Sequence, residues 1–163
     1  MKKLLFAALL IAFTSYQTIA QVLPRLDKYN LETAEGAIDA DSVALKVADF
    51  LFKTPLIRDD NSRLRAGVFL NKWMEATPTY TFMIDEDILD NFEGDFDLKD
   101  LYMAALTRFT LQNPNEKNED KISVEAMKQV LAYANDDDNM VLLSKRMEKL
   151  IAANEKGKLE KAL

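Results

Sequence analysis

The stretch Asp97 to Asn113, DLKDLYMAALTRFTLQN, constrains the fold more than any other part of the chain. Its apolar residues Leu98, Leu101, Tyr102, Ala105, Leu106 and Phe109 follow the spacing of one helical face, and Met103, Ala104 and Leu111 carry apolar surface round to the other side. A helix that is apolar over most of its circumference is stable only when other elements cover it on several sides. The spacing therefore predicts a central helix over 97–113 and a small all-α domain wrapped around it. Asp97, with Asp100 three residues on, is the expected cap, both charges suiting the positive end of the helix dipole. Pro114 stops the helix because it disfavours α geometry at Asn113 and has no N–H to give.

Met1 to Ala20 reads as an export signal rather than as fold. Lys2 and Lys3 form a basic start, Leu4 to Phe13 an apolar run, and Thr18-Ile19-Ala20 a small-residue cleavage site. The run is short for a bilayer span, which takes about 20 residues. Cleavage after Ala20 would leave 143 of the 163 residues, enough for one domain. It would remove two lysines and no acid, leaving 19 cations against 27 acids, a net charge of −8. An acidic chain repels phosphate backbones and anionic head groups, so nucleic acid and membrane surface are poor candidate partners. With no cysteine there is no disulfide, and the core must stabilise the fold alone.

Residues 21–40 hold few apolar side chains, and Gly36 interrupts any helical period, so they read as an irregular lead-in. Asp41 to Lys53 is the first clear helix, with Asp41 as its expected cap and Thr54-Pro55 as its end. Asn61 or Ser62 caps a second helix to about Ala76, with Ala66, Phe69, Leu70 and Trp73 on one face and Val68 and Met74 widening it. Thr79 to Ile84 then alternates like a strand, but no second strand is in sight, so an extended connector across the helices is expected. Asp85 starts a short helix that Gly94 closes in the left-handed conformation. Beyond the central helix, Ser123 is the expected cap of another helix. Asn139 is expected to open the last one, with Met140, Leu143, Met147, Leu150 and Ile151 inward and Lys145, Arg146, Lys149 and Lys156 in its later turns. Residues 157–163 read as a frayed tail. The expectation is a compact irregular bundle of five to six helices forming one domain over 41–156.

The chain has no histidine and no cysteine, which excludes Ser-His-Asp or Cys-His catalysis, ordinary zinc sites and haem held by protein histidine. Its four glycines are not spaced as a phosphate cradle. No cofactor is implied. Carboxylate chemistry remains: Glu75 beside Trp73, paired with Asp85 or Glu86, would be the pair to try for glycan hydrolysis or elimination. The acid clusters Asp85–Asp100 and Asp136–Asp138 raise calcium, but aligning Gly94 with the glycine of an EF-hand loop puts Leu89 at its first ligand position, and the fit fails. Trp73, Tyr80, Phe82, Phe92, Phe96 and Tyr102 form the other constellation, read either as core or as an aromatic-lined groove for a partner.

The segments FLNKWMEATPTYTF (Phe69 to Phe82), LYMAALTRF (Leu101 to Phe109) and LIAANEKGKLEKAL (Leu150 to Leu163), behind a cleavable signal, resemble small exported helical bacterial proteins of unknown function. The resemblance implies export and an all-α fold and carries over no catalytic residue. The functional expectation is an exported, periplasmic or extracellular, non-catalytic module that binds a protein partner, with Trp73, Tyr80 and Phe82 as the candidate surface. A carboxylate-dependent glycan hydrolase or lyase is the alternative.

Overall fold

The computed structural model of the protein describes residues 22–163, so the expected leader lies outside the described residues. Within them the fold is all-α, with no strand. Seven helices follow in order: α1 (Ala34–Asp39), α2 (Asp41–Lys53), α3 (Asn61–Ala76), α4 (Glu86–Leu89), α5 (Phe96–Gln112), α6 (Glu119–Ala134) and α7 (Lys145–Glu155). Helix α5 is the centre. Leu98 and every residue from Leu101 to Thr107 are buried, because α2, α3 and α6 pack around it. Helix α7 closes the far side of α6, and residues 79–85 run as an extended connector without strand pairing.

Several helix starts differ from the sequence expectation, for one physical reason. A cap is the residue whose backbone stays extended while its side chain reaches an N–H two or three positions on, and which of several neighbouring candidates does so is decided by the packed backbone. Asp95 caps α5 by accepting from Leu98 N–H, which leaves Asp97 in the first turn. Asp60 caps α3 through Ser62 and Arg63 N–H. Asn118 caps α6 through Lys121 N–H, so Ser123 is a buried residue inside that helix. Ser144, not Asn139, caps α7 through Met147 N–H. Residues 137–139 form a 3-10 turn, and Met140 takes φ +59°, which ends it. Met140 and Leu143 are consequently exposed rather than inward.

The lead-in carries more structure than expected. Thr33 caps α1, Ala37 is fully buried, and Leu23, Leu26, Tyr29 and Leu31 pack against the core. Gly36 is required by contact: a Cβ there would stand 2.0 Å from the Asn30 carbonyl oxygen. The tail is ordered too. Gly157 (φ +64°) ends α7 in a Schellman motif, in which Gly157 N–H donates to Asn154 O and Lys158 N–H to Ala153 O. The turned-back chain buries Leu159, so the expectation of a frayed tail does not hold at that residue.

One buried cation ties three elements. Arg63 Nη1 donates to Leu51 O, Thr54 O and Thr54 Oγ1 at 2.8–2.9 Å, meeting the free carbonyls and negative dipole of the α2 C-terminus. Tyr133 of α6 donates to the same Thr54 carbonyl at 2.7 Å.

Candidate functional site

The structure brings Trp73, Tyr80 and Phe82 together. Trp73 faces inward from α3 and is fully buried. Thr77 ends α3 in an extended conformation, and Pro78 follows it, so the chain leaves the helix and doubles across its last turn. Tyr80 then lies 6.1 Å from the Trp73 ring, tilted, and Phe82 lies 5.7 Å away edge-on. Both are half-buried. Alternation decides this: with a period of two, Tyr80 and Phe82 point to one side, while Thr81 and Met83 stand in solvent.

The indole is fixed from behind by residues not singled out in the sequence. Its Nε1–H donates to Ala37 O and to Asp41 Oδ1, both at 3.1 Å. Asp41 is the first residue of α2 rather than its cap, because α1 abuts α2 and Ala40 joins them with its own N–H already bonded. Its carboxylate is thereby free to receive the indole. Burial raises the Asp41 pKa, opposed by the Trp73 hydrogen bond. Burial, and then the Asp41 charge, raises the Tyr80 hydroxyl above its ordinary value. The sequence marked Asp41 as a helix cap, but its long-range indole bond was not legible there.

The connector's backbone is unpaired. Among the described residues, no N–H or C=O from Tyr80 to Ile84 makes a hydrogen bond to backbone or side chain. The segment is therefore an extended edge held by two aromatic anchors, with Thr81, Met83 (56 % exposed) and Ile84 (48 % exposed) outward.

The wider aromatic constellation divides. Phe92 and Tyr102 form a separate buried pair at 5.8 Å, and Phe96 is 80 % exposed. The carboxylates proposed for hydrolysis are all exposed. Glu75 borders an open cleft of about 830 Å³ between α3 and the lead-in, while Asp85 caps α4 through Asp87 N–H and does not line that cleft. No group of three or more acidic side chains among the described residues could hold a metal ion. No described helix is long and apolar enough to cross a membrane.

Sequence reasoning missed a second apolar surface. Met140, Leu142 (82 % exposed) and Leu143 project from the loop before α7, and Leu56 N–H donates to Asn139 O, which brings the loop bearing the exposed Ile57 beside it. The signal was the apolar run MVLL between an acid run and a serine cap, which periodicity alone assigns to a helix.

No protein-family model matches the chain, and no curated protein or solved structure matches it either.

Proposed function

We propose that the protein is an exported, non-catalytic interaction module of the bacterial envelope, and that it recognises an extended polypeptide segment along Tyr80–Ile84. The observation that carries this reading is the connector itself, anchored on Trp73 by Tyr80 and Phe82 and with the backbone donors and acceptors from Tyr80 to Ile84 unpaired. Strand addition to such an edge draws affinity from main-chain hydrogen bonds and specificity from the outward side chains. Thr81, Met83 and Ile84 would supply the latter. Rigid anchoring favours binding, because an edge already extended loses less conformational entropy on pairing.

The test uses residues 21–163 as bait against envelope extract and culture fluid. Thr81→Pro and Met83→Pro each remove one backbone N–H that has no hydrogen-bond partner in the fold. A stoichiometric protein retained by wild type and Thr81→Ala, but lost with either proline at unchanged melting temperature, is the expected result. Retention by both proline variants would overturn strand addition. Tyr80→Ser with Phe82→Ser should release the edge and weaken the same capture.

A further inference from the structure

The charge of this acidic protein is segregated. From Lys145 to Leu163 six cations stand against three acids, so the remainder of the chain after residue 20 carries 13 cations against 24 acids. Lys145 and Lys149 of α7 and Lys156 at its C-cap fall on one side at i, i+4 and i+11, opposite the buried Met147 and Leu150. The Schellman turn at Gly157 and the burial of Leu159 fold the tail back so that Lys158 and Lys161 join them. Two hollows result. Lys149, Lys156, Lys158 and Lys161 line one of about 510 Å³ that includes no acid. Lys145, Arg146 and Lys149 line its neighbour of about 480 Å³, where Glu93 is the one acid.

Ion pairing does not account for this cluster, and the helix dipole accounts for only part of it. Among the described residues none of these cations forms an ion pair, although acids outnumber bases in the chain. The helix dipole explains part of them only: Lys156 at the C-cap of α7 suits its negative end, but α7 begins at Lys145, so Lys145 and Arg146 occupy its positive end, where cations are disfavoured. Lys145 and Lys149 add an unfavourable like-charge pair at i, i+4. Arg146 is also pinned, its Nε donating at 2.7 Å to Oδ1 of the fully buried Asn91, whose amide is held in turn by Asp87 O and Ile88 O.

We infer that the two adjoining hollows on α7 and the C-terminal turn bind one compact, multiply charged phosphate compound, with Lys149 between its charged ends. Size selects the occupant. A small polyanion senses charge within about a Debye length, roughly 8 Å at physiological salt, and the two hollows are lined by six cations and one acid. A membrane or nucleic acid would also meet the acidic body and be repelled by it.

Sodium tripolyphosphate titrated calorimetrically into residues 21–163 tests this. Saturable binding that weakens with added salt is expected, falling roughly tenfold or more in Lys149→Gln with Lys158→Gln, since two charge-assisted contacts are lost. The charge-matched control Lys46→Gln with Lys72→Gln, on exposed faces of α2 and α3, should bind as wild type. Absence of saturable binding in wild type, or an equal loss in the control, would overturn the inference. So would co-sedimentation with phosphatidylglycerol vesicles in the absence of tripolyphosphate binding, which would make the face a membrane contact.

Discussion

Arg63 is buried with carbonyl oxygens, not carboxylates, as its hydrogen-bond partners. Its charge is met by the C-terminal end of α2, so its removal leaves buried acceptors without a donor, which costs more than the bond itself contributes. Arg63→Met should lower unfolding free energy by about 3 kcal/mol in urea denaturation, whereas Tyr133→Phe, which removes one of two donors to Thr54 O, should cost about 1 kcal/mol. Two carboxyl groups give opposite pH signatures. Burial raises the Asp100 pKa above 3.8, with Asn71 hydrogen bonding opposing and Asp97 adding to the rise. The native state then holds its proton more tightly than the unfolded chain, so this contribution to stability falls as pH rises from 3.8 through the raised value. Glu116 is lowered to about 2, first by its hydrogen bond from Lys121. Its contribution is present above 4.5 and lost as pH falls from there toward 2. Melting temperatures measured across the acid range should show Asp100→Asn gaining on wild type as pH rises, and Glu116→Gln gaining on wild type as pH falls.

At the level of elements, the short helix α1 has consequences beyond its length. It supplies the Ala37 carbonyl that accepts from the Trp73 indole, so the platform under the connector includes the lead-in. Gly36 sets its position against Asn30. Gly36→Ala places a methyl group against backbone that no rotamer change can move, and overpacking of this kind costs about 1–3 kcal/mol. A melting temperature unchanged by Gly36→Ala would show that the lead-in does not pack as described. The same variant should raise amide exchange in α1 and shift Trp73 fluorescence, leaving α6 and α7 protected. Element type was largely legible in the sequence, because 3.6-residue periodicity directly reports a buried face: α2, α3 and α5 fall within two residues of their expected bounds. Starts were not, because Asp95, Asn118 and Ser144 compete with other good capping residues nearby, and only the packed backbone decides which side chain reaches a free N–H.

Across the whole molecule, charge and apolar surface are unevenly distributed. The acidic body and the basic C-terminal face give the protein an electrostatic axis that the net charge conceals. Binding at the connector should depend little on salt, since its outward residues are Thr81, Met83 and Ile84, whereas binding at the α7 face should weaken steeply with it. Measuring both affinities over one salt series would separate the two surfaces.

The sequence by itself determined the fold class, the central helix, the turn glycines and the exclusion of histidine and cysteine chemistry. These follow from local periodicity, from the conformations open to glycine and from composition, none of which needs knowledge of distant contacts. That Trp73, Tyr80 and Phe82 lie close together follows from their nearness in sequence, although their arrangement does not. Tertiary structure alone decided that Trp73 is a buried platform bonded to Ala37 and Asp41, and that Tyr80 and Phe82 anchor an unpaired edge. It alone decided too that α7 begins at Lys145, with Lys145 and Arg146 at the positive end of its dipole, and that the folded-back tail brings Lys158 and Lys161 beside Lys149 and Lys156. Each of these depends on residues far apart in the chain or on a helix start chosen by packing, and neither kind of information is present in a local pattern.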